Sequence, residues 1–63
     1  MIRLKEIRKS KGMTAEELGS KVGVTGNYIY ILESGKREAS LKILKKIAIV
    51  LNTTMDNLVK EVE

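Results

Sequence analysis

The sequence contains no cysteine, histidine, proline, tryptophan or phenylalanine, and only two of its 63 residues are tyrosines. Without cysteine or histidine, the chain cannot form a disulfide, a zinc finger or the usual imidazole-based catalytic site. The carboxylates are few and are predicted to lie at helix caps or in exposed turns, so no combination of nucleophile, base and oxyanion donor is available. The sequence therefore predicts neither an enzyme nor a metal or cofactor site.

Long apolar runs are also missing. None approaches the length that crosses a membrane, and the N-terminal residues are too polar for a signal peptide. We therefore expect a cytoplasmic protein with no membrane partner. A chain of 63 residues corresponds to one domain, here 1–63, with a modest core that often relies on ideal helix packing or self-association. A second domain that would hold a small-molecule effector is not expected.

The stretch from Thr14 to Ser34, TAEELGSKVGVTGNYIYILES, predicts two helices joined by a tight turn. In its first half, small and apolar residues follow the one-sided period of an amphipathic helix, at Ala15, Leu18, Gly19 and Val22. Thr14 and Glu17 match a capping box, in which each side chain accepts a hydrogen bond from the other residue's amide. The sequence thus defines where the first of the two helices begins.

Two glycines in this stretch have separate roles. Gly23 follows the last apolar position of the first helix and can adopt the positive φ that ends a helix. Thr25 then caps the second helix. Gly19 lies in the middle of the first helix, where the absence of a side chain lets the second helix cross closely. Together these features predict a helix-turn-helix over residues 15–34.

The rest of the chain predicts three more helices and no strands, because it has no alternating pattern and no repeat. The first covers Ile2 to Lys11, with Leu4 and Ile7 on its buried side, and Met13 follows as a hydrophobic staple. After Gly35, which ends the second motif helix, Ser40 caps a helix that runs to Leu51. This helix has two apolar stripes, one of Leu41, Leu44, Ala48 and Leu51 and one of Ile43, Ile47 and Val50. Thr54 caps a final helix with apolar positions at Met55, Leu58, Val59 and Val62, of which Met55 and Leu58 are assigned to the core.

Charge is unevenly distributed along the chain, whose net charge is +4. Residues 1–12 and 35–46 each sum to +4, whereas residues 13–34 and 47–63 each sum to −2. Basic segments therefore flank the helix-turn-helix, as expected if they bind phosphates on both sides of a groove. A solvated, lysine-rich surface without a ligand is the alternative interpretation.

AEELGSKVGVTGNYIYILES resembles the DNA-binding helix-turn-helix of the Xre and Cro/phage-repressor family. The similarity extends to LKEIRKSKGMT before it, LESGKR at its end and SLKILKKIAIVLNTTMDNL after it. The resemblance implies a compact, all-α, five-helix domain of the lambda-repressor type that binds double-stranded DNA and regulates transcription, as a repressor. It also implies an ion pair between Arg8 and Glu33. Members of this family usually bind as dimers across a two-fold axis.

The second helix of such a motif, here 25–34, enters the major groove and reads bases with its N-terminal residues. Its outward positions are Gly26, Asn27, Tyr30, Ile31 and Ser34, while Ile29 and Leu32 point to the core. The amide of Asn27 can pair with adenine, and the Thr25 cap marks a helix start that can hold a phosphate. The candidate DNA-binding residues are Thr25, Gly26, Asn27, Tyr28, Tyr30, Ile31, Ser34, Lys36 and Arg37.

The sequence departs from the family at several of these positions. Alanine replaces a common phosphate-binding glutamine at Ala15, and Gly26, Tyr30 and Ile31 stand where polar or basic residues are common. The recognition helix has no basic residue and is apolar from Tyr28 to Leu32, which favours an alternative function as an antitoxin-like protein-interaction module. Surplus apolar residues on the last two helices predict a homodimer interface, with Ile49, Val50, Met55, Val59 and Val62 as candidates.

Overall fold

Five helices follow one another in the computed structural model, which describes residue 1 and residues 3–59. They are α1 Leu4–Ser10, α2 Ala15–Val22, α3 Gly26–Ser34, α4 Leu41–Val50 and α5 Met55–Val59. The described part of the chain contains no strand. The predicted all-α, five-helix architecture is therefore confirmed, as is the helix-turn-helix formed by α2 and α3.

Side-chain hydroxyls cap the starts of four helices. The hydroxyl of Thr14 accepts from the Glu17 amide at 3.0 Å, and the Glu17 carboxylate accepts from the Thr14 amide at 3.2 Å. This reciprocal pair is the predicted capping box. Thr25, Ser40 and Thr54 each accept one amide hydrogen bond at the starts of α3, α4 and α5, at 3.1, 3.2 and 3.0 Å. Polar residues just before each apolar run therefore define where these helices begin.

The turn between α2 and α3 depends on two glycines with different functions. Gly23 ends α2 in the left-handed region, at φ 84°. Gly19 allows close contact, because a Cβ atom on it would lie only 2.7 Å from the Val24 carbonyl oxygen and 2.9 Å from the Thr25 carbonyl oxygen. Main-chain atoms cannot move aside as a flexible side chain can. The close crossing of the two helices therefore requires glycine at position 19 in this packing.

The core lies where α2, α3 and α4 meet, with α1 and α5 closing its sides. Its apolar side chains are almost fully excluded from solvent: Leu4, Ala15, Leu18, Val22, Ile29, Leu32, Ile47, Ala48, Leu51 and Leu58. The main chain ties α1 to α5 through a 3.1 Å bond from the Arg3 amide to the Leu58 carbonyl. This packing determines the orientation of α3, whose inner face supplies two core residues.

The apolar positions predicted from the sequence differ in how far they are buried. In α1, Ile7 is only half-buried, and the side chain that joins Leu4 in the interior is Arg8. At the start of α4, Leu41 is 60% exposed, whereas Ala48 and Leu51 of the same apolar stripe are buried. Met55, which the sequence assigned to the core, is half-buried and packs against it. Ile2 and Val62, which the sequence assigned to helices, lie outside the described residues.

Within residues 1 and 3–59, no helix is long and apolar enough to cross a membrane.

Candidate nucleic-acid interface

The two faces of α3 differ sharply in exposure. On the inner face, Ile29 and Leu32 are fully buried. On the outer face, Asn27 and Ser34 are exposed, Tyr30 is 49% exposed and Ile31 is half-buried beside them. This division matches the one predicted from the sequence. The outer face of α3 is thus an uncovered surface about two and a half turns long, at 3.6 residues per turn.

The start of α3 leaves two main-chain amides available. The hydroxyl of Thr25 accepts from the Tyr28 amide at 3.1 Å, which satisfies one of the first amides of the helix. The amides of Gly26 and Asn27 have no acceptor within the helix, because an α-helix offers none to its first turn. With the positive end of the helix dipole, these groups favour a negatively charged ligand at this point.

Tyr28 differs from the other candidate residues of α3. Its ring is half-buried against the core, on a different side of the helix from Tyr30. The guanidinium carbon of Arg37 lies 6.0 Å from the centre of this ring, at the outer limit of a cation–π contact. Tyr28 therefore packs partly against the core and lies near Arg37, whose side chain is exposed.

The end of α3 is ordered by Ser34. Its hydroxyl donates to the Ile31 carbonyl oxygen at 2.7 Å and accepts from the Lys36 amide at 3.3 Å. Gly35 follows in the left-handed conformation, at φ 79°, and turns the chain away from the helix axis. As a result, the exposed side chains of Lys36 and Arg37 come directly after the outer face of α3.

A second pair of cations lies on the other side of α3, and the candidate residues taken from the sequence did not include it. Lys5 and Lys9, one turn apart on α1, line an open groove together with Met13, Glu16 and Tyr30. Both lysines are exposed, and neither ion pair found in residues 1 and 3–59 uses them. The spacing of four residues in the sequence was the available signal, because it places both lysines on one face of a helix.

Arg8, between these lysines in sequence, points inward and joins α1 to α3. Its Nε lies 2.6 Å from Oε2 of Glu33 and its Nη2 lies 3.3 Å from Oε1, while its Nη1 donates to the Met13 carbonyl oxygen at 2.8 Å. Both side chains of the pair are only 6% exposed. The hydrogen bond to Glu33 raises the pKa of Arg8 against the opposing effect of burial. The ion pair implied by the family resemblance is therefore confirmed, and it is structural.

Glu16, in the first turn of α2, lies across the start of α3. A Cβ atom on Gly26 would be 2.6 Å from Oε2 of Glu16 and 3.0 Å from both its Cδ and its Cγ. The carboxylate thus occupies the space that a side chain at position 26 would fill. The sequence does not predict this contact, because Glu16 and Gly26 belong to different helices. The available signal is the glycine at position 26, which leaves space for another side chain.

Comparison with known proteins identifies the family. A helix-turn-helix family model matches residues 4–58. An uncharacterized HTH-type transcriptional regulator of Archaeoglobus fulgidus is 46% identical over 56 residues, which cover 89% of this chain and 80% of that protein. The HTH-type transcriptional regulator SinR of Bacillus subtilis is 33% identical over 60 residues, which cover 94% of this chain but only 54% of SinR.

A solved structure agrees with these sequence matches. One chain of the solved complex of the SinR and SinI proteins superposes on this structure with a TM-score of 0.85 at 34% sequence identity. The superposition covers 97% of this chain and 62% of the chain in the complex. Helix-turn-helix transcriptional regulators are not enzymes, in agreement with the sequence prediction. The resemblance to the Xre and Cro/phage-repressor proteins is likewise confirmed. This chain belongs to the helix-turn-helix family of DNA-binding transcriptional regulators.

Proposed function

We propose that this protein is a sequence-specific repressor that occupies operator DNA as a dimer, with α3 of each copy in the major groove. The observation that carries the proposal is the uncovered outer face of α3 between two groups of exposed cations. An α-helix fits the width of the major groove, and phosphates line both edges of that groove. We assign Lys36 and Arg37, which follow the end of α3, to one edge of the groove, and Lys5 and Lys9, which line a groove with Tyr30 of α3, to the other.

Asn27 is the principal base reader in this proposal. Its side chain is exposed at the second position of α3, where recognition helices contact base edges. A side-chain amide can accept from N6 and donate to N7 of adenine in one plane. Farther along the same face, Ile31 can contact a thymine methyl group, and the hydroxyl of Tyr30 can donate to a backbone phosphate.

Substitution of Asn27 by alanine tests base reading. We expect Asn27→Ala to lose preference at one base pair in each half-site, by about 5- to 150-fold, the range for one bidentate amide–adenine contact. Affinities for duplexes substituted at each position would be measured by competition sequencing. If the relative affinities of all substituted sites are the same before and after the change, Asn27 does not read a base.

The salt dependence of binding tests phosphate contact. Removal of both cations after α3, in Lys36→Ala with Arg37→Ala, should weaken binding to specific and random duplexes alike. It should also flatten the slope of log affinity against log salt by about 2, since each lost phosphate contact contributes about 1. The matched control is Lys21→Ala with Lys46→Ala. It removes the same charge from a groove between α2 and α4 whose lining includes no residue of α3 and neither Lys36 nor Arg37.

An unchanged slope in the Lys36 and Arg37 variant would exclude phosphate contact at that turn. An equal flattening in the control would mean that net charge, and not position, produces the effect.

The proposed dimer places α5 and the start of α4 at the two-fold axis. Val59 is 47% exposed and lines a groove with the apolar side chains of Met1, Ala39 and Leu44, next to Gly35, Arg37 and Glu38 after the end of α3. Of the other sequence candidates, Ile49 is 78% exposed but belongs to a different groove, and Val50 and Met55 pack against the core. Val62 lies outside the described residues. We therefore assign the interface to the Val59 groove.

Aspartate substitutions at Val59 and Ile49, two of the exposed apolar positions, test this assignment. Val59→Asp should convert the dimer to a monomer in sedimentation, with and without a two-half-site duplex, because a buried unpaired carboxylate opposes association. Ile49→Asp is the matched control and should leave the mass unchanged. The opposite pattern would assign the interface to the Ile49 groove. If neither variant changes the sedimenting mass, neither groove is the dimer interface.

A protein partner is the second candidate function. Tyr30 and Ile31 make part of the outer face of α3 apolar, and the similar solved structure is a complex of SinR with the SinI protein. Salt distinguishes the two functions, because DNA affinity falls steeply as salt rises, whereas apolar protein contact does not.

A further inference from the structure

The recognition helix begins with a residue that has no side chain. Gly26 is the first residue of α3, and helix-turn-helix proteins contact bases from this end. The space beside Gly26 is nevertheless occupied. Oε2 of Glu16 lies 2.6 Å from the position of a Cβ atom on Gly26, and the rest of the carboxyl end of that side chain lies close by.

At these distances the end of the Glu16 side chain occupies the space that a side chain at position 26 would need. The surface at the start of α3 therefore carries a carboxylate beside position 26, although the group comes from α2. An alanine or larger residue at position 26 would force Glu16 out of this space. Because Glu16 is a flexible, exposed side chain, that displacement would cost the fold little.

The carboxylate is free to accept hydrogen bonds. In the described part of the chain, the ion pairs are Arg3–Glu6 and Arg8–Glu33, and no side-chain hydrogen bond uses Glu16. Its position beside the positive end of α3 is electrostatically favourable, since the first amides of that helix lack acceptors. This field favours a carboxylate near the start of α3, and the charge of Arg8 also attracts it.

A carboxylate can only accept hydrogen bonds at neutral pH. In the major groove, cytosine offers the N4 amine as a donor, whereas guanine offers only the acceptors N7 and O6. A carboxylate at a base edge therefore favours cytosine and disfavours guanine. Asn27, the next residue of α3, is exposed on the same surface and suits adenine.

We propose that Glu16 is a specificity-determining residue, which fills from α2 the base-reading position that Gly26 leaves open and selects cytosine beside the base read by Asn27. The proposal rests on the DNA-binding function proposed above.

Competition sequencing of a duplex library tests it with two variants. Wild-type protein should prefer cytosine at a base pair next to the one that Asn27→Ala affects. Glu16→Gln keeps the length of the side chain and removes its charge, so the cytosine preference should fall by about fivefold or more and shift toward adenine. Gly26→Ala keeps the carboxylate but displaces it, and should also lose the cytosine preference. Thermal unfolding of each variant would show that the fold is retained.

Glu6→Gln is the matched control, because it removes the same charge from an exposed residue outside α2 and α3 that pairs with Arg3. It should leave every base preference unchanged. If Glu16→Gln raises affinity for all sequences equally and leaves the preferences intact, the carboxylate only repels DNA and the proposal is wrong. If the wild-type protein prefers no duplex over random DNA, the proposed function fails as well, so the two failures are distinguishable.

Discussion

The buried ion pair between Arg8 and Glu33 makes a specific prediction about stability. Glu33→Gln removes the negative charge while the guanidinium of Arg8, 5% exposed, stays inside. Loss of one partner of a buried pair costs about 3–5 kcal/mol, because the other charge remains desolvated and unpaired. At about 0.05–0.15 kcal/mol per residue, a chain of this length has a free energy of unfolding of roughly 3–9 kcal/mol. The substitution therefore removes a large part of the total.

The chain contains its own control for this experiment. Arg3 and Glu6 form an ion pair of nearly the same length, 2.7 Å, but the side chain of Glu6 is 58% exposed. Exposed pairs contribute about 0.2–1 kcal/mol. Glu6→Gln makes the same chemical change at a similar distance, and we expect it to lower the free energy of unfolding by less than about 1 kcal/mol.

Thermal and urea unfolding followed by far-ultraviolet circular dichroism would measure both variants. For a domain of this size, 1 kcal/mol shifts Tm by about 4–8 °C, so Glu33→Gln should lower Tm by about 12 °C or more. A double variant, Arg8→Met with Glu33→Met, should recover part of this loss, because it removes both buried charges. Equal shifts for Glu33→Gln and Glu6→Gln would refute the argument that burial determines the cost.

Two further predictions concern α2. Gly19→Ala should destabilise the fold by about 1–3 kcal/mol in urea unfolding, although alanine favours helices, because its Cβ would meet main-chain atoms. The control, Ser20→Ala, changes an exposed residue of the same helix and should stabilise the fold slightly. If both variants are stabilised, the two helices do not cross closely at Gly19. Thr14→Ala should lower the free energy of unfolding by about 1 kcal/mol, and by more than Thr54→Ala, since Thr14 takes part in a reciprocal capping box and Thr54 accepts a single amide hydrogen bond. Equal losses would mean that the hydrogen bond from the Thr14 amide to the Glu17 carboxylate adds no stability.

The helix boundaries could be predicted from the sequence because each depends on residues within about one turn. The caps at Thr14, Thr25, Ser40 and Thr54 and the helix end at Gly23 are local features of this kind. The apolar period also identified most of the core for the same reason. Exposure at the edges of the core depends on where neighbouring helices lie. The sequence could not show that Leu41 would extend beyond those neighbours.

Long-range contacts required other information. Arg8 and Glu33 are 25 positions apart, and no local pattern relates them; their pairing was expected only from resemblance to a family. The contact between Glu16 and Gly26 was not expected from the sequence. An acidic residue in the first turn of α2 is already explained by the dipole of that helix, so nothing in the sequence around Glu16 indicates a contact with α3. For the candidate site, the sequence predicted the outward residues of α3 but not the carboxylate that α2 adds to them.

The structure separates the residues that orient α3 from those that α3 presents. Ile29 and Leu32 bury its inner face, and the Arg8–Glu33 pair ties its last turn to α1. Asn27, by contrast, has an exposed side chain that takes part in none of the hydrogen bonds described for residues 1 and 3–59. Because substitutions at such exposed positions usually change stability by less than about 0.5 kcal/mol, the outer face can vary while the orientation of the helix is kept. The departure from the family at the exposed Tyr30 is therefore compatible with an intact fold, and its consequence should appear in which duplex is bound and not in whether the chain folds.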